Sequence, residues 1–110
     1  MDGALAPVLD ALADPTRRHV VRLLGDGPLR AGELAEATGT GAPAMSRHLK
    51  VLLDAGIIAD GRMSRDARAR VFSLQPGTLM VIRAWLDQVN AQWEEQMHSP
   101  SRRAGRGDRP

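Results

Sequence analysis

Apolar residues recur along the chain at the three- and four-residue steps of amphipathic helices, and short clusters of Gly, Pro and Asp interrupt them. Ala4 to Ala13 is rich in Ala and Leu and predicts a short first helix, with Pro7 tolerable only in its opening turn. Asp14-Pro15-Thr16 then restarts the chain: Asp14 can accept the orphan N–H groups of a new helix, and the φ of Pro15 is already helical. Val20, Leu23 and Leu24 keep helical spacing until Gly25-Asp26-Gly27-Pro28 ends the segment, which predicts a second helix over 15–24. After a Leu29-Arg30 connection, Glu33 to Ala37 predicts a third, short helix ending at Gly39. Ala42 to Ala55 resumes the period, with Gly56 as its stop.

Two short helices joined across Gly39 to Gly41 make a helix-turn-helix. On the second of them, Met45, Leu49, Leu52 and Leu53 share one face, Arg47 points almost directly away, and Ala44, Lys50 and Val51 flank it. That outward face is small and basic. Small residues allow close approach to a DNA major groove, and Arg and Lys supply donors for guanine edges and phosphates. Ile57-Ile58-Ala59 and Val71 to Leu74 read as two strands, and the polar stretch Arg62 to Arg70 between them has no helical period. The chain is therefore mainly α with a small β-hairpin, in the order of a winged helix-turn-helix. Arg62, Arg65, Arg68 and Arg70 would form a basic wing reaching phosphates or the minor groove of double-stranded DNA.

A last amphipathic segment runs from about Gly77 to Met97. Leu79, Ile82, Leu86, Val89, Trp93 and Gln96 step by three and four, and Val81, Trp85 and Met97 widen the stripe. A small winged domain cannot cover this stripe alone, so part of it, with the first helix, is expected at a two-fold dimer interface. The alternative is that the helix packs only on its own domain.

Composition narrows the picture. At 110 residues the chain has room for one core, with residues 1–97 forming the winged domain and 98–110 a basic, disordered tail rich in Arg, Gly, Ser and Pro. Aromatics reach only 3%, so the core is aliphatic, as suits packed helices. There is no cysteine, which excludes disulfides and thiolate metal sites and fits a reducing cytoplasm. No apolar run approaches a membrane span and no secretory signal opens the chain, so a cytoplasmic location is expected. The net charge of +2 hides an uneven distribution. The tail from His98 onward holds four arginines against one aspartate, whereas Ser46 to Leu74 holds six cations against three aspartates within an otherwise acidic body.

Asp14-Pro15-Thr16-Arg17, Glu33-Leu34-Ala35, Ser46-Arg47-His48-Leu49-Lys50-Val51-Leu52 and Ala55-Gly56 follow one another in the order seen in ArsR-type (ArsR/SmtB) winged-helix repressors. The chain resembles that family over about residues 5 to 97. Trp85-Leu86-Asp87 and Trp93-Glu94-Glu95 are similar to a branch lacking the cysteine metal sites. The resemblance implies a homodimeric repressor on an inverted-repeat operator, with Ser46, Arg47 and Lys50 at the major groove and the wing on the flanks; His48, by its place on the helix, flanks that face and is expected to hydrogen-bond DNA or a neighbouring backbone. It also implies a dimer interface, for which Leu5, Leu9, Leu79, Ile82, Leu86, Val89 and Trp93 are the candidates. Two positions depart from the family pattern: Ala67 stands where the wing usually has Gly, and Gly41 replaces the common Ser or Thr cap of the recognition helix.

Other chemistry is sparse. Gly39-Thr40-Gly41-Ala42-Pro43-Ala44 has the spacing of a dinucleotide-binding loop but follows a helical segment, where that loop needs a strand. Glu94 and His98 share a helical face and could hold a metal across a dimer, although a helix-end role for His98 is the commoner one. His19 reads as a helix-edge residue. No HExxH, P-loop or Gly-x-Ser-x-Gly occurs, so neither catalysis nor a cofactor is expected. Two rival functions remain: a metal-responsive repressor using His and carboxylate ligands, and a winged-helix protein-interaction module that does not bind DNA. The inducing signal is not legible in the residues.

Overall fold

The computed structural model describes residues 2–62 and 70–98. Five helices and one hairpin follow in the order α1 (Asp2–Ala11), α2 (Pro15–Leu24), α3 (Ala31–Thr38), α4 (Ala42–Asp54), β1 (Ile58–Arg62), β2 (Arg70–Leu74) and α5 (Pro76–His98).

The α2 boundaries follow directly from local chemistry. Asp14 is extended and its carboxylate accepts the Arg17 N–H at 3.0 Å, with Pro15 opening the helix. α3 ends at Gly39, whose φ of 67° is left-handed, and Gly56 (φ 76°) makes the turn from α4 into the hairpin. α1 begins earlier than the sequence suggests, at Asp2, so Pro7 lies in the helix interior and not in its first turn. The ring removes one helical hydrogen bond there. Pro7 is exposed, which leaves the freed carbonyl to water. α3 likewise begins at Ala31, because the Glu33 carboxylate accepts the Arg30 N–H at 2.9 Å and secures the turn before it.

β1 and β2 pair antiparallel, with Ile58 opposite Leu74, Asp60 opposite Phe72 and Arg62 opposite Arg70. β1 starts one residue later than expected and runs on through Asp60 to Arg62, while Ile57 is fully buried beneath it. A third segment joins the sheet as a single bridge. Leu29 donates to the Phe72 carbonyl at 3.1 Å, and Phe72 donates back at 2.8 Å. This bridge fastens the α2–α3 connection to the hairpin and fixes the hairpin relative to the helix-turn-helix.

Val8, Val20, Leu24, Leu34, Met45, Leu49, Leu52, Ile57, Ile58 and Phe72 form one core, aliphatic but for Phe72, drawn from α1, α2, α3, α4 and both strands. Leu79 and Ile82 of α5 are half-buried against it. Beyond them α5 leaves the core: Trp85, Leu86, Val89, Trp93 and Met97 are all exposed, Trp93 at 60%. The apolar stripe of α5 thus divides. Its first turns face the chain's own domain, and its later turns, with Leu9 of α1, face outward. Of the α1 residues expected at a dimer interface, Leu5 is only 8% exposed within the single chain, whereas Leu9 is 42% exposed.

Candidate nucleic-acid interface

α4 presents two chemically distinct faces. Met45, Leu49 and Leu52 are buried, while Ser46, Arg47, Lys50 and Val51 are exposed. The 100° step of the helix produces this separation, because residues three and four apart stack on one side and those between them turn outward. The start of α4 needs no side-chain cap. Gly41 offers none, yet Pro43 at the second helical position removes one of the N–H groups a cap would have served. The turn into α4 is closed by threonines: Thr38 Oγ1 donates to the Leu34 carbonyl at 2.8 Å and lies 2.9 Å from Thr40 Oγ1, while the Thr40 N–H bonds the Ala35 carbonyl at 2.9 Å.

Beside this face lies a groove of about 820 Å³ between the start of α3, α4 and β2. Arg30, Ser46, Lys50 and Arg70 line it together with Glu33, Glu36 and Asp54, over a floor that includes Leu49 and Phe72. The structure therefore brings Ser46, Lys50 and Arg70 onto one concave surface, with Arg47 exposed on α4 outside that lining. Arg30 belongs to the same groove and was not singled out from the sequence. Its position directly before a helix whose third residue is Glu33 is the signal that could have placed it.

Two of the groove's cations, Lys50 and Arg70, are paired with carboxylates. Lys50 Nζ lies 3.2 Å from Asp54 Oδ2, one turn along α4. Arg70 donates through Nε and Nη2 to Asp60 Oδ2 at 2.8 and 2.7 Å, and its guanidinium sits 4.9 Å above the centre of the Phe72 ring. Both pairs are well exposed, so each contributes little to folding and is cheap to open.

His48, expected to flank the outward face, lies at its edge. It is half-buried and turned toward α2, with Nδ1 3.4 Å from Arg17 Nη1 and 3.9 Å from Asp14 Oδ2. Arg62 ends β1 opposite Arg70, and Arg65 and Arg68 lie outside the described residues. The Asp14 carboxyl is held below its ordinary value of 3.8. The Arg17 backbone N–H is the main cause; partial desolvation opposes it, and the charge of Arg17 adds to it. The Gly39–Ala44 segment follows α3, which removes the strand context of a dinucleotide loop. Among the described residues, no group of three or more His, Asp or Glu side chains is disposed to hold a metal ion.

A tight helix-turn-helix whose second helix turns a small, basic face outward, with a β-hairpin bridged beside it, defines a winged helix-turn-helix DNA-binding protein. Residues 12–60 match the family model described as a helix-turn-helix domain. The chain is 46% identical over 79 residues, 71% of its length and 70% of the relative's, to the HTH-type transcriptional regulator Rv2034 of Mycobacterium tuberculosis. The crystal structure of an ArsR family transcriptional regulator, RHA00566, matches with a TM-score of 0.76 at 31% identity, covering 86% of this chain and 94% of that one. The chain belongs to the ArsR family of winged helix-turn-helix transcriptional regulators. It is also 42% identical over 55 residues to the transcriptional repressor SdpR of Bacillus subtilis, a match covering 50% of this chain and 61% of that one. The family is one of transcriptional regulators and not a class of enzymes.

Proposed function

We propose that this chain acts as a homodimeric repressor on an inverted-repeat operator, with Ser46, Arg47 and Lys50 entering the major groove and the hairpin following the flanking phosphates. The observation that carries this reading is the division of α4, in which Ser46, Arg47 and Lys50 are exposed while Met45, Leu49 and Leu52 are buried. Repression is supported by the match to a relative named as a repressor. Dimerisation is supported by the outward apolar face of Leu86, Val89, Trp93 and Met97 on α5, which the chain's own core does not cover. The reading places the protein with its DNA in the cytoplasm, and no helix among the described residues is long and apolar enough to cross a membrane. Residues 98–110, with four arginines, would add sequence-blind phosphate affinity.

The test is fluorescence anisotropy on an operator footprinted in the promoter region beside the protein's own gene. Arg47→Ala should cost about 1–3 kcal/mol of operator binding, the worth of a base contact. Its thermal midpoint should stay nearly unchanged, because an exposed substitution shifts stability by under about 0.5 kcal/mol. Leu49→Ala should instead lower stability by about 2–5 kcal/mol through a core cavity. Unimpaired operator binding by Arg47→Ala would remove α4 from the major groove.

A further inference from the structure

Where α1, α2 and α4 meet, three polar side chains form a cluster that direct DNA contact leaves unexplained. Arg17, the third residue of α2, reaches back over the end of α1, where Nε donates to the Ala11 carbonyl and Nη2 lies 3.4 Å from the Asp10 carbonyl. These carbonyls belong to the last turn of α1, where that of Asp10 also accepts the Ala13 N–H at 3.1 Å. Arg18 serves the next two, donating through Nη1 to Leu12 and Ala13 at 2.9 and 3.1 Å. What distinguishes Arg17 is its third contact: Nη1 is 3.4 Å from Nδ1 of His48, in the middle of α4. Asp14 lies at the same point, where its carboxylate accepts the Arg17 backbone N–H at 3.0 Å.

A guanidinium only donates hydrogen bonds. Facing it, His48 Nδ1 can take part in that bond only as its acceptor, which requires the tautomer with the proton on Nε2. One side chain thus satisfies the end of α1, selects the tautomer of His48 and ties α4 to α1. α1 is in turn packed on α5, the helix with the outward apolar face. Lysine cannot replace this arrangement, because a single ammonium on a flexible stem lacks the planar fork that reaches two carbonyls and a ring nitrogen together.

We propose that Arg17 is a positioning residue for DNA recognition: through His48 it sets the seating of α4 and couples that helix to the α1–α5 pair. The proposal rests on the reading of α4 as the DNA-contacting helix. Arg17 acts through His48, not on DNA, so its loss affects the discrimination of the operator from other DNA and leaves the count of phosphate contacts alone.

The full-length protein, the variants Arg17→Met, Arg17→Lys and His48→Ala, and the double variant Arg17→Met/His48→Ala are titrated against operator and random-sequence DNA across a salt series. Arg17→Met should weaken operator binding about tenfold, a coupling typical of side chains in contact, with random-DNA affinity and salt slope unchanged. Arg17→Lys should not restore it, and in the His48→Ala background the same Arg17 substitution should add little. Additive losses would overturn the proposal. So would an equal loss on both DNAs with a salt slope lower by about 0.9, which would make Arg17 itself a phosphate contact. Should the Arg17 variants fail to fold, His48→Ala alone still decides: loss of operator binding with random-DNA affinity unchanged upholds the proposal, and unchanged discrimination between the two DNAs overturns it. Wild-type protein is measured first. Failure to bind any DNA at that stage refutes the DNA-binding reading itself, whereas wild-type binding with additive Arg17 and His48 effects refutes only the role of Arg17.

Discussion

Asp14 begins α2, and its carboxyl is held below the ordinary value of 3.8 chiefly by the Arg17 backbone N–H. In the unfolded chain that hydrogen bond is gone and the ordinary value returns. The unfolded state therefore binds the proton first as pH falls, so the contribution of Asp14 to stability is complete above 3.8 and is lost as pH drops through the lowered folded value. Thermal melts of wild type and Asp14→Ala should differ by a constant amount above the carboxylate range and converge in acid. A gap that persists unchanged in acid would mean that the charge of Asp14 contributes nothing to the cap. The Asp14 cap was legible in the sequence because Asp-Pro before an apolar period carries its own local chemistry. Arg17 was not, since its contact with His48 spans 31 positions and no local pattern records it.

At the scale of elements, the extents of α2 and α4 were readable because a cap or stop residue and a core stripe coincide there. Met45, Leu49 and Leu52 define the buried face of α4, and Gly56 defines the turn after it. The start of α1 was less readable, since alanines suit several helix starts and Pro7 argued for a later one. The Leu29–Phe72 bridge was hidden because a single residue pair has no periodicity. The stripe of α5 was legible as amphipathic, but only the packing shows that Leu79 and Ile82 belong to the core and Leu86 onward does not. The hairpin yields its own prediction. Arg70 is held by Asp60 and stacked on Phe72, in an exposed pair that is cheap to open. Asp60→Asn should free Arg70 for phosphate and strengthen binding to operator and random DNA alike, and Arg70→Ala should lower the log–log salt slope by about 0.9. Unchanged affinity and slope in both variants would place this end of the hairpin away from DNA.

For the whole molecule, a single recognition helix spans one half-site, while two related by a dyad reach successive major grooves near 34 Å apart. The apolar surface that could build the dyad lies on α5 and α1, with Trp85, Leu86, Val89, Trp93 and Leu9 exposed. α4 packs against α1, so the same helix borders both the proposed dimer surface and the DNA-contacting element. Selection of binding sites from a random DNA pool tests symmetry and specificity together. The wild-type protein should enrich an inverted repeat with half-sites about one helical turn apart. Arg47→Ala should fail to enrich it, and Leu86→Glu should fail as well, because closing the interface would bury an unpaired carboxylate. Enrichment of a single, non-repeated half-site by the wild type, or of no sequence at all, would contradict the account of a dimeric, sequence-specific regulator.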